Sequence, residues 1–310
     1  MKRRCLVTGA NGFLGRPLCL SLQEKGCEVI AVVRRADSQL TAAGIRQVVV
    51  ADLYNFNDPS LSGSLNGAQT VYHLAARTHS PGADWRAYQR DNEAVTTQVT
   101  QLAIAAKVEH LVFVSSVKAM GERSGSSPLT PDSIAQPEDY YGHSKLAAEQ
   151  SVIRQCQNTN TQFSILRPPL IYGKHAPGNL HRLISLIRRG VPLPLASVRN
   201  KRSMVGQQNL IDLLGALSER PANRILLPAD GDWSTPELIR LLAQALNRPT
   251  RLWPVPPGLL RLAGRLVNKQ DITDRLTRSL QIDDPWLRDQ FGWHPPLPAN
   301  AGLSEMAQAD

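Results

Sequence analysis

Two adjacent tyrosines and a lysine lie within DYYGHSK, residues 139–145. A phenol has a pKa of about 10 in water, so it transfers protons poorly at neutral pH unless a nearby cation stabilises its phenolate. On a helix, Tyr141 and Lys145 are four residues apart and share one face, whereas Tyr140 diverges from Lys145 by roughly 140°. The spacing selects Tyr141 and Lys145 as a candidate proton-transfer pair, with an incidental pair on a surface helix as the alternative.

Three glycines occur in TGANGFLG, residues 8–15, which follows the first apolar run of the chain and precedes a helix-like segment. A strand-to-helix turn of this kind presents backbone N–H groups and the positive end of the helix dipole to a pyrophosphate. Glycine is needed where a Cβ would collide with the ligand or with the packed sheet. The spacing is GxxGxxG rather than GxGxxG, and an ordinary turn is the alternative, but the position predicts a dinucleotide-binding loop.

The end of the second apolar run, AVVRRAD at residues 31–37, bears on which nicotinamide cofactor would bind. An acidic residue at that edge would bind the ribose 2′-hydroxyl of NAD, but Arg34 and Arg35 stand there instead. Because guanidinium groups make paired contacts with a 2′-phosphate, NADP(H) is favoured, while Asp37 keeps NAD(H) possible. Solvation of a strand end is the alternative role for the arginines. Asp52, after the third run, is a candidate partner of the adenine amino group or an ordinary turn residue.

Short apolar runs alternate with helix-like segments through the first half of the chain. The runs are continuously apolar, as in strands buried on both faces, and their alternation with helices predicts parallel βαβ units. We therefore predict an α/β fold with a doubly wound parallel sheet (Rossmann) and a second, smaller α/β lobe after Tyr172. The longest helix-like segments cover residues 13–25, 85–106 and 141–158. The expected Rossmann domain comprises residues 1–175 plus about 204–229, and the second lobe about 176–203 plus 230–310.

Composition and charge limit the classes of protein. Hydrophobic residues make up 42% of the 310 residues, and no apolar run is long enough for a spanning helix, so membrane insertion is not expected. Residues 151–310 carry 20 Lys and Arg against 12 Asp and Glu, whereas residues 1–150 carry 15 against 14. This excess suits a phosphorylated substrate, an anionic membrane surface or simple solubility. Nucleic acid is not expected as a partner, because aromatic residues are only 5% of the chain and are scattered.

The N-terminal sequence and the cysteines indicate the compartment. MKRRCLVTGA passes directly into a strand-like segment without the apolar region of a secretory signal, so we expect a cytoplasmic protein. The four cysteines, at positions 5, 19, 27 and 156, have neither CxxC spacing nor the density of a disulfide framework. They are expected to be reduced and mostly buried, and no metal site is predicted.

These motifs together resemble the extended short-chain dehydrogenase/reductases of the NAD-dependent epimerase/dehydratase family. The resemblance rests on TGANGFLG, Asp52, HLAA at 73–76, VSS at 114–116, YGHSK at 141–145 and LRPPLIYG at 166–173, in this order. It implies that Ser116 holds the reacting oxygen, Tyr141 exchanges its proton, and Lys145 lowers the phenol pKa and binds the nicotinamide ribose. The expected cofactor-binding residues are Gly9, Asn11, Gly12, Phe13, Leu14, Gly15, Arg34, Arg35, Asp52, Leu53, Leu74, Ala75, Ala76, Asn92, Tyr141, Lys145 and Pro168.

The resemblance extends into the second lobe, where NKRSMVGQQNLIDLL at 200–214 is similar to a segment of the nucleotide-sugar enzymes. It implies that Arg202 binds the diphosphate of a UDP-sugar and that Asn179 lies near the same phosphates, with Ser116 and Tyr141 at the sugar. Arg275 or Arg278 is a further candidate for the phosphates. Surface positions are the alternative for Arg202 and Asn179. Helices 85–106 and 141–158 form the usual dimer surface in this family, so a homodimer is possible.

The residues after Ser116 narrow the reaction that the resemblance implies. Sugar-nucleotide 4,6-dehydratases have an Asp-Glu pair there, whereas this chain has Val117 and Lys118, so dehydration is not expected. Four segments, SSVKAMGE at 115–122, LRPPLIYG at 166–173, PLPLASVRNKRSMVG at 192–206 and STPELIRLLAQALNRP at 234–249, together resemble bacterial reductases of the C4 ketone of UDP-4-keto-6-deoxy-N-acetylhexosamines. Those enzymes serve surface-polysaccharide (O-antigen, lipopolysaccharide) precursor synthesis. The alternatives are a UDP-sugar 4-epimerase with tightly bound NAD and a non-catalytic regulator that senses NAD(P).

Overall fold

The computed structural model describes residues 2–54, 59–78, 80, 82–176, 178–266 and 270–309. Its main sheet has seven strands, and every neighbouring pair is parallel. In spatial order these are β3 (Arg46–Val49), β2 (Glu28–Val33), β1 (Arg4–Thr8), β4 (Thr70–His73), β5 (His110–Val114), β6 (Gln162–Leu166) and β9 (Ile225–Leu226). The predicted α/β fold with a doubly wound parallel sheet is confirmed.

Both faces of this sheet are covered, as the continuously apolar strands require. Successive side chains of a strand point to opposite faces, so Cys5 and Val7 join one buried core while Leu6 joins the other. The core that contains Cys5 is closed by α1 (Gly15–Glu24) and α8 (Gln207–Glu219). The core that contains Leu6 is closed by α5 (Val95–Ala105) and α6 (Tyr140–Cys156). Strand order reverses between β1 and β4, and ligands of such sheets bind in the crevice at the carboxyl ends of the strands at this point.

A second sheet has three strands, β7 (Leu170–Tyr172), β8 (Arg202–Gly206) and β10 (Gly231–Trp233). β8 is parallel to β7 and antiparallel to β10. A separate buried core, which includes Met204, Leu242 and Leu303, lies between this sheet and α7 (Asn179–Arg188), α9 (Thr235–Ala245) and α13 (Ala299–Ala309). The boundaries between the two lobes stay a prediction.

Shorter helices complete the chain: α2 (Ser38–Ala42), α3 (Pro59–Ser64), α4 (Trp85–Tyr88), α10 (Pro257–Leu266), α11 (Gln270–Thr277) and α12 (Pro285–Asp289). The helix predicted at 85–106 is interrupted, because a π-helical turn at Gln89–Ala94 joins α4 to α5. All four cysteines are free thiols. No helix in the described ranges has the length and apolar content of a membrane span, and within the same ranges no three His, Cys, Asp or Glu side chains are grouped to hold a metal ion.

Candidate active site

Helix α6 begins beside the carboxyl end of β5 and carries the candidate proton-transfer pair. The carboxylate of Asp139 caps the helix by accepting a hydrogen bond from the Gly142 N–H at 2.7 Å. The site of Gly142 has no room for a side chain, because an added Cβ would lie 2.4 Å from the Lys118 carbonyl oxygen. This contact fixes α6 against the loop that follows β5. Tyr141 and Lys145 face inward, whereas Tyr140 is 56% exposed, as the helical spacing predicts.

Ser116 and Tyr141 meet at the start of this loop. Ser116 has extended backbone angles just before a short 3₁₀ turn (Val117–Ala119), and its side chain accepts a hydrogen bond from the Lys118 N–H at 3.2 Å. Burial raises the pKa of Tyr141 to about 12, and the neighbouring Ser116 side chain opposes this shift only in part. Tyr141 therefore carries its proton at neutral pH and is ready to donate it.

The Lys145 ammonium is buried under the carboxyl end of β5. It donates a hydrogen bond to the Val114 carbonyl oxygen at 2.8 Å and lies 4.1 Å above the centre of the Phe113 ring. Burial lowers the pKa of Lys145 to about 7, with Glu149 partly opposing the shift. The ammonium thus loses its proton far more easily than an exposed lysine. Lowering of the Tyr141 pKa by Lys145 stays a prediction.

The Lys145→Met variant is expected to be more stable than the wild type and inactive. Removal of a buried ammonium should raise the free energy of unfolding near pH 6 by about 1–3 kcal/mol. The folded wild type binds fewer protons than the unfolded chain between pH 7 and 10.5, so its stability rises with pH across this window. The advantage of the variant should therefore shrink between about pH 6 and pH 9 in urea unfolding. An advantage that does not change with pH would contradict the buried-ammonium account.

The glycine-rich loop between β1 and α1 fits a dinucleotide pyrophosphate. Gly9 has a φ of 67°, and a Cβ there would lie 2.8 Å from the Ala75 amide nitrogen, so the loop packs directly on the segment after β4. A Cβ on Gly15 would lie 2.2 Å from the Gly9 carbonyl oxygen. No side chain caps α1, in contrast to α6, so no side chain occupies the positive end of its helix dipole. The Arg16 and Leu18 N–H groups are bonded to the Gly12 and Leu14 carbonyl oxygens. Phe13 differs from the rest of the loop, because its side chain packs on the separate core beneath the three-stranded sheet.

The sequence leaves Asp37 available to the ribose 2′-hydroxyl of NAD. In the structure it instead pairs with Arg16 and caps α2. Arg16 of α1 donates to Asp37 Oδ2 from Nε at 3.0 Å and from a terminal nitrogen at 2.6 Å. Asp37 also caps α2 through the Gln39 and Leu40 N–H groups. Although burial opposes ionisation, the Arg16 hydrogen bonds lower the pKa of Asp37. Arg34 and Arg35 are exposed immediately after β2.

The other predicted cofactor residues lie along the same edge of the sheet. Asp52 is exposed after β3 and accepts a hydrogen bond from the Tyr54 N–H at 2.9 Å. Asn92 is buried in the π-helical turn, where its amide bonds both backbone groups of Arg77 and the Ser144 hydroxyl. It thereby ties the segment after β4 to α6. The remaining positions are Asn11 and Leu14 in the glycine loop, Leu53 after β3, Leu74, Ala75 and Ala76 after β4, and Pro168 after β6.

Two buried polar groups beneath the site were not singled out from the sequence. Glu149 of α6 forms a buried ion pair with Arg167, with a shortest N–O distance of 2.6 Å, and accepts a short hydrogen bond from Ser115. The pair joins α6 to the ends of β5 and β6. His73 is hydrogen bonded to Thr8 at 2.7 Å and to Thr96 at 3.0 Å, and burial followed by Lys145 lowers its pKa to about 3, so it is neutral. The LRPP and HLAA motifs contain Arg167 and His73, which is the signal that could have found them.

A cavity of about 410 Å³ joins Tyr141 to the arginines of α11. Tyr141 and Tyr88 line one part, with ring centres 6.3 Å apart, and Arg275 and Arg278 line another. Arg202, at the start of β8, donates to the Arg278 carbonyl oxygen at 3.3 Å, and burial lowers its pKa. The three arginines thus converge near one end of the cavity. The side chain of Asn179 lies outside the described residues.

Lys118 connects the loop that follows β5 with this cavity. Its ammonium lies 2.5 Å from Asp139 Oδ2 and 2.7 Å from Glu122 Oε1. Glu122 in turn lies 3.8 Å from Arg275. Although burial opposes ionisation, the hydrogen bonds from Lys118 and from the Gly142 N–H lower the pKa of Asp139. The Asp139 carboxylate is therefore held in its ionised form by the lysine that stands two residues after Ser116.

Comparisons with known proteins agree with this arrangement. The model of the NAD dependent epimerase/dehydratase family matches residues 5–214. UDP-glucose 4-epimerase from Vibrio cholerae is 36% identical over 320 residues, which cover 100% of this chain and 96% of that protein. The dTDP-6-deoxy-L-talose 4-dehydrogenase (NAD(P)(+)) of Kitasatospora kifunensis is 26% identical over 317 residues, 98% of this chain and 94% of that one.

A solved structure extends the agreement to three dimensions. MoeE5 in complex with UDP-glucose and NAD has a TM-score of 0.78 at 23% identity, covering 99% of this chain and 98% of its own. This likeness supports the fold. The family match over two thirds of the chain and the full-length Vibrio relative are the evidence for the family. The chain therefore belongs to the NAD dependent epimerase/dehydratase family.

Proposed function

We propose that this protein is a nucleotide-sugar oxidoreductase that reduces the C4 ketone of a UDP-4-keto-6-deoxy-N-acetylhexosamine with NADPH. The observation that carries the proposal is Tyr141, a protonated phenol beside Ser116, in a cavity that Arg275 and Arg278 also line. A ketone reductase needs a group that donates a proton to the carbonyl oxygen. An epimerase first removes the proton of a sugar hydroxyl, so it needs a base at the start of the reaction.

The cavity suits a UDP-sugar. Its volume of about 410 Å³ lies within the range of small-molecule sites. Arg275 and Arg278 would bind the diphosphate, with Arg202 beside them, while the sugar reaches Tyr141. Guanidinium groups make paired contacts with phosphate oxygens, which favours arginine at such a position. The relatives support the substrate class, because the Vibrio enzyme is a UDP-glucose 4-epimerase and MoeE5 was solved in complex with UDP-glucose.

Tyr141, Ser116 and Lys145 have separate roles at the reacting carbon. When bound, the nicotinamide supplies the hydride to C4. The Ser116 hydroxyl orients the ketone oxygen, and Tyr141 gives that oxygen its proton. Lys145, which is already close to losing a proton at neutral pH, is placed to hold the nicotinamide ribose and to return a proton towards Tyr141 after turnover. The protein contributes position and proton transfer, and the redox chemistry is that of the cofactor.

The ion pairs of Lys118 argue against dehydration. Elimination of the 6-hydroxyl needs one carboxyl group that donates a proton and one that accepts it. Glu122 and Asp139 lie near the cavity, but Lys118 binds both, and the Asp139 carboxylate is committed to the cap of α6 as well. Neither is free to shuttle a proton.

Use of NADPH is supported by the arginines after β2. Asp37 is held by Arg16, so its carboxylate is not free to select a ribose 2′-hydroxyl, while Arg34 and Arg35 are exposed. We expect the double variant Arg34→Ala and Arg35→Ala to raise the KM for NADPH by about tenfold or more and to leave the KM for NADH nearly unchanged. Arg248→Ala, another exposed arginine, is the control. A similar loss with both cofactors would contradict the assignment.

The second candidate is a UDP-sugar 4-epimerase, which the Vibrio cholerae relative at 36% identity favours. Both reactions use the same tyrosine, so the substrate decides between them. The test is a panel in which purified protein is incubated with NADPH, NADH or NAD and with UDP-4-keto-6-deoxy-N-acetylglucosamine, UDP-glucose or UDP-N-acetylglucosamine, with products identified by NMR. The proposal expects NADPH oxidation with the keto sugar and no change in the other two. Interconversion of an unreduced pair without the keto sugar would support the epimerase.

A further inference from the structure

Helix α10 turns an apolar face to solvent. Leu259 is 57% exposed, Leu262 55% and Leu266 80%, and Trp253, shortly before the helix, is 63% exposed. We call these four side chains the α10 surface. In the described chain no other segment of this length has as many strongly exposed large apolar residues, and exposed apolar patches mark interaction sites.

The geometry of α10 explains why this face is free. Leu259, Leu262 and Leu266 are three and four residues apart, so they lie on one side of the helix. Gly264 lies on the buried side, where an added Cβ would be 2.5 Å from Thr273 of α11. The close contact through Gly264 therefore fixes α10 on α11 and leaves the leucines pointing away from the protein.

The segment that leads into α10 and forms it carries charge of one sign. Residues 240–266 contain five arginines and no Asp or Glu. All five are exposed, and none forms an ion pair with a described acidic residue; they are Arg240, Arg248, Arg251, Arg261 and Arg265. Two of them, Arg261 and Arg265, belong to α10 itself. An apolar helix face flanked by arginines, with a tryptophan four residues before the helix, has the composition of a helix that lies in the interface of an anionic membrane.

We propose that the α10 surface docks on an anionic phospholipid bilayer. The leucines and Trp253 would enter the headgroup region, and the arginines would contact the lipid phosphates. A second copy of the chain fits less well, because pairing of two such surfaces would bring like charges together. α10 packs on α11, which carries Arg275 and Arg278, so docking would hold the substrate cavity beside the membrane.

The test is flotation of the full chain with unilamellar vesicles. One set is phosphatidylcholine alone, and the other contains one third phosphatidylglycerol. We expect flotation with the anionic vesicles at low salt and little with phosphatidylcholine, and a marked loss at high salt. Leu262→Ser combined with Leu266→Ser should weaken binding about tenfold or more, as should Arg261→Gln combined with Arg265→Gln. Ile134→Ser, which alters an equally exposed residue elsewhere, is the matched control and should bind like the wild type.

Thermal unfolding and sedimentation decide between the remaining outcomes. The leucine variant should melt at the temperature of the wild type or above, because both side chains are mostly exposed. The proposal is overturned if the wild type does not float, if it floats equally with neutral vesicles, or if a folded leucine variant binds as well as the wild type. It is also overturned if the wild type is a dimer that the leucine change dissociates without any vesicle binding. None of these results depends on the identity of the sugar substrate.

Discussion

Tyr141→Phe is expected to lose turnover of the keto sugar by at least about a hundredfold, with the fold intact. The change removes the hydroxyl beside Ser116 and leaves the ring, which packs at the cavity wall beside Tyr88. Without the phenol, the carbonyl oxygen has no protonated group held next to it, so hydride transfer must wait for a proton from water. The measurement is kcat for NADPH oxidation together with the Kd of NADPH from fluorescence titration.

Tyr140→Phe is the matched control for this prediction, because the neighbouring ring lines the same cavity but is 56% exposed and does not share the face of Lys145. Its kcat should stay within about threefold of the wild type. The Kd of NADPH should change little in either variant. Equal losses in both variants, or a Tyr141→Phe protein with nearly normal kcat, would show that the proton comes from another group.

Arg167→Met should destabilise the protein by about 3–5 kcal/mol. Arg167 and Glu149 are both nearly inaccessible to solvent, so removal of the guanidinium leaves the Glu149 carboxylate buried with only the Ser115 hydroxyl as a direct partner. The urea midpoint should fall with an unchanged m-value. Because α6 carries Tyr141 and Lys145, the variant should also lose activity at temperatures below its melting transition.

A second substitution separates the ion pair from the packing around it. Replacing Glu149 with Leu in the Arg167→Met background removes the stranded charge and should recover much of the lost stability, because apolar groups can replace a buried pair at little cost. The exposed pair of Arg3 and Glu109 is the control, and Glu109→Gln there should cost no more than about 1 kcal/mol. If the double variant is less stable than Arg167→Met, the ion pair stabilises the fold by more than neutralising the buried carboxylate.

The fold and the core of the candidate site were predictable because their signals are local. Continuously apolar strands that alternate with helices predict the parallel sheet. The four-residue spacing of Tyr141 and Lys145 predicts their common face, and in the structure both face inward and Tyr140 faces outward. The glycines at 9 and 15 reflect contacts with neighbouring backbone that leave no room for a Cβ. The functional roles of these residues stay predictions.

Other features depend on pairing between distant residues, which a single sequence does not specify. The sequence leaves Asp37 available to a ribose, whereas the structure pairs it with Arg16, 21 residues earlier in the chain. In the sequence, Lys118 stands where the dehydratases have a carboxylate. In three dimensions its ammonium binds two carboxylates. The π-helical turn around Asn92 has the composition of an ordinary helix, so its register change could not be foreseen. Periodicity likewise predicts that α10 is amphipathic but does not say that its apolar face is uncovered.

The central claim is most directly tested by following a deuteride. Purified protein would be given UDP-4-keto-6-deoxy-N-acetylglucosamine and NADPH carrying two deuterium atoms at C4 of the nicotinamide, so that transfer from either face delivers the label, and the product would be examined by NMR and mass spectrometry. The account predicts one deuterium at C4 of the sugar for each NADPH oxidised. Absence of oxidation with this substrate, together with interconversion of UDP-hexose epimers that keeps C4 hydrogen within the enzyme and takes up no label, would contradict it.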